Sequence, residues 1–371
     1  MKKEIKVHVF LYMLFVVFIG CKKTAPLVDT HEEKASKLAE NKGLALAPTP
    51  CGCWIALTNQ ANDLLEAYDP SVTDWNLENA RKWTFEPTTG RGYSATEEIP
   101  LWNDPTDVKL RNTSAFAGTT QAIATCGGRL ATIAAYPSGN KIWTMGFGDF
   151  EPQVSLHSAE LLPNGNIALA SSKRNWVRVY SSSQAPPNHG KFYEFPLGDA
   201  HAVLWDPTYQ RLWVTGWLPL NSGNYWDPLN QVITALKVEG TAADPKLVED
   251  VDFRAVLPGK YGHDIAPYYY DHDKLWITVN VDNADNNKGV YLFDKTTRTF
   301  THAPGVADRN FVKGIGNQPS GEIVAIRPID HVTGWTNNTV NFYSVTGSAL
   351  YNRTRSSAAF YKSRIFNPDY Q

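Results

Sequence analysis

Five basic side chains stand at nearly the same distance ahead of short apolar runs. They are Lys109, His157, His201, His263 and Lys313, and each precedes the start of an apolar run by 10 to 12 residues. A nearly constant offset of this kind places side chains at equivalent positions in a repeated fold. We therefore expect the five groups to converge on one place, which is the first candidate for a functional site.

Two ammonium groups and three imidazoles in one narrow space would form a positively charged pocket. Such a pocket favours an anion, for example a carboxylate or a sulfate. Crowding would lower the pKa values of the histidines, so that some of them are neutral near pH 7 and can act as bases. With a lysine to neutralise a carboxylate, a neutral histidine fits β-elimination from a uronic acid, because that reaction removes the proton beside the carboxylate.

The candidate residues follow from this chemistry. Candidates for catalysis are His157, His201 and His263, and candidates for ligand binding are Lys109, Lys313, Tyr261, Asp264 and Glu160. Tyr261 lies two residues before His263 and could supply a phenol to the reaction. Tyr268 and Tyr269, a little further along the chain, offer the same group.

Two other interpretations of the histidines stay open. His157, His201 and His263 come from three different units, and together they could bind a divalent metal ion with one open position, although the two lysines count against it. No other cofactor is expected. Each histidine could also be structural, hydrogen-bonded to a carbonyl of a neighbouring unit or to a nearby aspartate.

Paired apolar runs predict the elements that position these residues. Six pairs occur between residues 54 and 344; most are followed by a short aromatic run and preceded by a segment with a polar head. This gives about four strands per unit at a spacing of roughly 45–60 residues, which is typical of a β-propeller. We predict an all-β fold, a six-bladed β-propeller of four-stranded antiparallel blades, with five or seven blades as alternatives. The innermost strand of the first blade would come from residues 44–53 or from residues 358–366, at the other end of the chain.

Composition excludes several classes of partner. The 371 residues are 43% hydrophobic and 19% charged, with 26 Gly and 23 Pro, which fits an ordered protein with many turns. The formal net charge of -2 gives no overall field that would gather nucleic acid. The sequence also has no Gly-rich phosphate loop of the right spacing. We expect a monomer that does not bind nucleic acid.

The N-terminal residues have the pattern of a bacterial lipoprotein signal peptide. A basic start is followed by an apolar core of about 13 residues, too short for a comfortable membrane span, and by Gly20 directly before Cys21. The sequence therefore predicts a signal peptide over residues 1–20, lipidation of Cys21, a flexible tether over residues 21–50 and a propeller domain over residues 51–371. The protein would then be held by its lipid at the outer membrane of the cell envelope, facing the periplasm. An ordinary signal peptide or a short anchor helix is the alternative.

Three further cysteines remain. A disulfide from Cys51 or Cys53 to Cys126 is one prediction for an exported protein, and buried free thiols are the other.

Several phrases resemble a bacterial family of unknown function with a six-bladed propeller fold that occurs among exported proteins. The resemblance spans roughly residues 54–345, and its phrases lie around Asn59, His157, His201, His263 and Lys313. Ala202 stands where the family pattern has Gly, and Gly314 where it has Ser. The phrase around His157 is also similar, more loosely, to arylsulfotransferase propellers. The family implies no established activity.

The function that these observations predict is binding of an anionic, carbohydrate-like ligand in the axial funnel of an exported propeller. By analogy with propeller-fold polysaccharide lyases and glycosidases, an enzyme of this kind would be a polysaccharide lyase, acting by elimination, or a glycan-acting hydrolase. The rival interpretation is a non-catalytic propeller that binds glycans or proteins.

Overall fold

The computed structural model describes residues 52–149, 151–184, 191–220, 230–269, 271–280, 289–328 and 335–369. The predicted signal peptide, the tether with Cys21, and Cys51 lie outside these residues. Within the described ranges there is no helix with the length and hydrophobicity needed to cross a membrane.

The described strands form six sheets of four antiparallel strands each, which confirms the predicted fold. In the order of the sheets, the first blade contains β24 (Phe360–Ile365), β1 (Ile55–Asn59), β2 (Leu64–Tyr68) and β3 (Arg81–Phe85). The second contains β4 (Pro105–Asn112), β5 (Gln121–Gly127), β6 (Leu130–Ala135) and β7 (Lys141–Gly146). The third contains β8 (Leu156–Leu161), β9 (Ile167–Ser171), β10 (Trp176–Tyr180) and β11 (Phe192–Pro196).

The remaining three blades follow the chain in the same order. The fourth contains β12 (Gly198–Asp206), β13 (Arg211–Trp217), β14 (Gln231–Thr241) and β15 (Asp244–Val256). The fifth contains β16 (Lys260–Pro267), β17 (Lys274–Asn280), β18 (Val290–Asp294) and β19 (Thr299–His302). The sixth contains β20 (Gly314–Asn317), β21 (Ile323–Ile326), β22 (Thr339–Tyr343) and β23 (Ala349–Thr354).

The core consists of six apolar clusters, and each cluster lies between two neighbouring blades. Between the second and third blades, for example, Ile133 and Trp143 pack with Leu169 and Trp176. Both faces of the middle strands are therefore covered, which explains why they read as continuous apolar runs rather than as alternating ones. Burial of each large apolar side chain contributes about 1.5–3 kcal/mol.

The first strand of each later blade and β24 of the first blade form the inner wall of the ring. Neighbouring members contact one another in the cyclic order β24, β4, β8, β12, β16, β20 and back to β24. The strand that completes the first blade is thus the C-terminal one, which pairs antiparallel with β1. Of the two predicted sources for this strand, the C-terminal segment is confirmed. Ring closure by the C-terminus brings three polar residues of β24 into the channel, namely Tyr361, Lys362 and Arg364.

Cys126 is buried and carries a free thiol. The predicted disulfide between Cys126 and Cys51 or Cys53 is therefore wrong. Cys126 lies in the middle strand β5, where its sulfur is 3.3 Å from the hydroxyl of Thr106. Burial raises the pKa of this thiol to about 12, so it behaves as a small apolar core residue.

Candidate functional site

The structure brings the three predicted histidines together at one end of the axial channel. The ring centroids of His157 and His201 are 4.2 Å apart, those of His201 and His263 5.1 Å, and those of His157 and His263 6.3 Å. Each histidine belongs to a different blade. We call the cluster of His157, His201, His263, Lys313 and Tyr361 the histidine mouth.

Two histidines of the mouth are oriented by carbonyl oxygens of their own chain segments. His157 Nδ1 lies 3.1 Å from the carbonyl oxygen of Ser155, and His201 Nδ1 lies 2.8 Å from that of Asp199. A carbonyl oxygen only accepts, so these contacts assign the hydrogen of the neutral ring to Nδ1, and the Ser172 hydroxyl, 3.2 Å from His157 Nδ1, can accept it too. The Nε2 atoms of His157 and His201 are then hydrogen-bond and proton acceptors.

His263 is held differently, by the closing strand. Its Nε2 lies 3.0 Å from the hydroxyl of Tyr361 on β24, and within the described part of the chain its buried Nδ1 has no hydrogen-bond partner. A buried imidazole nitrogen that lacks a partner carries a desolvation cost. Tyr361 was not among the candidate residues because its strand is nearly 100 residues from His263 in the sequence.

Lys313 joins the mouth from the fifth-to-sixth blade junction, directly before β20. Only 4% of the residue is exposed. Its ammonium group lies 4.4 Å from the ring centroid of Trp335 and 5.9 Å from that of Tyr361. Within the described ranges Lys313 forms no salt bridge; the two aromatic faces stabilise its charged form directly, and Asp199 does so from a greater distance.

The pKa values of the mouth are shifted in the direction that the sequence predicted. Burial and the nearby Lys313 and Lys362 lower the pKa of His201 to about 4. Burial and neighbouring cationic or imidazole groups also hold the pKa values of His157 and His263 well below the usual range. Burial, together with Lys362, lowers the pKa of Lys313 to about 7, although Asp199 acts in the opposite direction. At pH 7 the histidines are therefore neutral, and the pKa of Lys313 is close to this pH.

A buried network of charged residues lies directly below the mouth. Lys362 donates to the carbonyl oxygen of His157 at 3.1 Å and lies 3.3 Å from Asp264. Arg364 contacts Asp264 through both terminal nitrogens and contacts Asp107 through Nε at 3.0 Å. This network ties β24 to β4 and β16 across the channel and fixes the floor beneath the three imidazoles.

Lys109 belongs to this network and not to the mouth. Its ammonium group contacts Asp107 and donates to the hydroxyl of Ser158 at 3.0 Å and to the carbonyl oxygen of Ala159 at 2.8 Å. The residue of β4 that is equivalent to His157 is Thr106, because the register of each strand shifts at that position. The offset placed Lys109 too far along its strand because the β4–β5 loop is longer than the β8–β9 loop.

A repeated backbone feature supports this equivalence. In four blades the residue two positions before the mouth position has a left-handed conformation: Asp104 (φ 45°), Asp199 (φ 48°), Tyr261 (φ 54°) and Phe311 (φ 63°). These conformations are costly for residues other than glycine, and such strain concentrates at functional sites. The repeated turn orients the side chain two residues later. Thr106, His201, His263 and Lys313 therefore occupy equivalent positions in their blades.

The other ligand-binding candidates are distributed below the mouth or beside it. Asp264 is fully buried in the charged network. Glu160 is also buried, paired with Arg111 through two hydrogen bonds of 2.7 and 2.9 Å. Tyr261 is only half-buried and forms the left-handed turn before His263. Asp264 and Glu160 are thus occupied by internal cations, whereas Tyr261 lies at the level of the mouth.

A pocket lies at the opposite end of the channel, and Lys109, Arg111 and Arg364 of the charged network reach its wall. Its walls are mostly apolar and include Leu110, Leu204, Ile265 and Phe366, with Tyr269 at its side. Burial raises the pKa of the Tyr269 phenol to about 12. Tyr269 therefore lies in a different environment from Tyr261.

Comparison with known protein families matches residues 69–368 to a family of unknown function, DUF6528. The chain belongs to this family. The match extends through β24, beyond the end of the resemblance at residue 345, and so includes the closing strand. No curated protein matches the sequence. In this DUF6528 chain the positions that depart from the expected pattern, Ala202 and Gly314, directly follow His201 and Lys313; both are buried in the inner wall.

A metal site finds no support in this member of DUF6528. Among the residues that the structure describes, no group of three or more His, Cys, Asp or Glu side chains is arranged to hold a metal ion. The hydrogen bonds give a physical reason, because His263 Nε2 is engaged by Tyr361. The nearby cations Lys313 and Lys362 would also repel a divalent ion.

Proposed function

We propose that the histidine mouth binds an anionic carbohydrate, a sugar that carries a carboxylate group. The observation that carries this proposal is the buried ammonium group of Lys313, which has no salt bridge among the described residues. Leaving a cation buried without a counter-ion is costly, and a bound carboxylate would remove that cost. The charged network beneath the mouth also favours an anion, because it contains four cations and three carboxylates. The cations are Lys109, Arg111, Lys362 and Arg364, and the carboxylates are Asp107, Glu160 and Asp264.

The histidines supply hydrogen-bond acceptors for the hydroxyl groups of the sugar. The Nε2 atoms of His157 and His201 accept hydrogen bonds at neutral pH, and sugar hydroxyl groups donate them. Lys313, whose ammonium group lies beside the Trp335 ring, provides a donor for the carboxylate. Asp199 is the carboxylate at this mouth and lies 3.3 Å from His201 Nδ1. Asp199 lies on the Nδ1 side of that ring, and its charge also raises the pKa of Lys313.

The same groups fit β-elimination if the ligand is a uronate within a chain. Lys313 would neutralise the carboxylate, and Nε2 of His157 or His201 would take the proton from the adjacent ring carbon. The electron pair of that C–H bond would form a carbon–carbon double bond while the glycosidic C–O bond breaks. Tyr361 would protonate the departing oxygen as the C–O bond breaks. A specific observation favours this candidate activity, namely that three imidazole rings with centroids 4.2 to 6.3 Å apart lie beside the hydroxyl of Tyr361.

Calorimetric titration with glucuronate tests the proposed binding. We expect binding at pH 7 with a net uptake of protons, since a carboxylate beside Lys313 would raise its pKa from about 7. The uptake is measured by repeating the titration in buffers of different ionisation enthalpy. Absence of binding by glucuronate and by uronate-containing oligosaccharides would contradict the proposal.

An absorbance assay separates the catalytic from the non-catalytic form of the proposal. Elimination gives an unsaturated product, and we expect its ultraviolet absorbance to rise with oligosaccharides built of uronates. The variant His201→Gln, which lacks the basic Nε2, should lose this activity. Binding of the oligosaccharides without any unsaturated product would assign the mouth to a binding propeller instead of a lyase.

A further inference from the structure

Trp335 is an exposed aromatic residue at the edge of the histidine mouth. It is 42% exposed, whereas most large aromatic side chains of the blades are buried. Its indole is closer to the Lys313 ammonium group than the Tyr361 ring is, with 4.4 Å between the nitrogen and the Trp335 ring centroid. An exposed tryptophan beside a candidate carboxylate-binding group offers a ligand an apolar ring face next to a positive charge.

The backbone around this ring is constrained. Trp335 has φ 73° and Phe311 has φ 63°, and both values are in the left-handed region that bulky side chains rarely adopt. The two rings pack at a centroid distance of 5.8 Å with an interplanar angle of 44°. Because Phe311 lies two residues before Lys313, one turn of chain positions both the ammonium group and the partner ring of Trp335. Strain of this kind is found where a side chain is held in a specific place.

We propose that Trp335 is the stacking residue for the sugar ring, and that it makes the mouth specific for a pyranose uronate over other carboxylates. This inference rests on the proposed function. In a uronate the carboxylate is attached directly to a ring carbon, so a carboxylate at Lys313 brings the sugar ring to the adjoining indole. The C–H groups of a pyranose face pack on an aromatic ring, and the hydroxyl groups at its rim then face His157 and His201.

The competing explanation is that Trp335 only stabilises the Lys313 cation through its ring. That role would affect every carboxylate equally, because it acts on the ammonium group and not on the ligand. A stacking role affects only ligands that have a sugar ring. Three probes separate these cases: glucuronate has both the ring and the carboxylate, acetate has the carboxylate alone, and methyl glucoside has the ring alone.

Binding of the three probes to Trp335 variants tests the inference. We expect Trp335→Ala to weaken glucuronate binding about tenfold more than it weakens acetate binding, while Trp335→Phe retains most of the affinity. Methyl glucoside should bind more weakly than glucuronate and should lose its remaining affinity in Trp335→Ala. The control is Leu350→Ala, which removes a side chain of 51% exposure from the outer strand β23 and should change nothing.

Each outcome has one consequence. Equal affinity of the wild type and Trp335→Ala for glucuronate would overturn the stacking role while the proposed function stands. Loss of acetate and glucuronate binding by the same factor would overturn it as well, and would assign Trp335 to stabilisation of Lys313. If the wild type binds neither carboxylate, the proposed function fails first and the inference fails with it. As a second readout, the ¹⁹F signal of 5-fluorotryptophan at position 335, assigned by its absence in Trp335→Phe, should shift with glucuronate and stay in place with acetate.

Discussion

Replacing Arg364 with methionine is expected to destabilise the propeller by about 3–5 kcal/mol. Methionine keeps much of the length of the side chain but removes the cation that Asp107 and Asp264 share. Both carboxylates are fully buried, so each would lose a hydrogen-bonded partner without gaining water. Because Arg364 lies on β24, the loss also weakens the contact that closes the ring. Urea denaturation followed by tryptophan fluorescence measures the change.

The matched control is Arg254→Met. Arg254 pairs with Glu249 on the outer strand β15, where its side chain is 28% exposed, and the expected loss is below about 1 kcal/mol. Equal losses for the two variants would show that the channel network does not stabilise the fold as described.

The difference in stability between the wild type and Arg364→Met depends on pH, and Asp107 determines the direction of the change. Burial alone would raise the pKa of Asp107, but Arg364 and Lys109 more than reverse this effect and hold it well below the usual range. The resulting stability is present above the pKa of an unfolded aspartate, about 3.9, and is lost as the pH falls toward the lower folded value. The gap between the wild type and Arg364→Met should therefore narrow below about pH 4.

Replacing Lys313 with methionine is expected to weaken glucuronate binding about 30-fold, the effect of losing one charge-assisted hydrogen bond. The wild-type affinity should fall as the pH rises above about 7, because free Lys313 then loses its proton. The variant has no such group, so its weak binding should stay nearly constant between pH 6.5 and 9. Calorimetry across this range gives both results.

The control for this experiment is Lys191→Met, which removes a lysine whose side chain is 74% exposed at the outer edge of the third blade. It should retain the wild-type affinity and pH profile. If Lys313→Met also retains them, the anion does not bind at the mouth.

The middle strands were predictable from the sequence because they are buried on both faces. Ile167–Ser171 and Trp176–Tyr180, for example, are entirely buried, and their only polar residues are Ser171 and Arg178. Turn residues bound these runs, and neighbouring strands are joined by short local connections. The order of four strands per blade followed from that local information.

The closing strand and the full membership of the mouth required information that is not local. Pairing of β24 with β1 joins residues about 300 positions apart, so the sequence left two segments as alternatives. Tyr361 and Arg364 belong to that strand, so their positions in the channel could not be predicted either. Trp335 lies outside the regular strands and carried no periodic signal. The constant offset from each basic residue to the next apolar run placed the three histidines correctly. It placed Lys109 wrongly, because it assumed loops of equal length.

The position of glucuronate in a crystal structure of the complex tests the central claim most directly. We predict the carboxylate within hydrogen-bond distance of the Lys313 ammonium group, with a sugar hydroxyl at Nε2 of His157 or His201. Glucuronate bound instead in the pocket beside Tyr269 at the opposite end of the channel, or on the outer surface of the blades, would contradict the account.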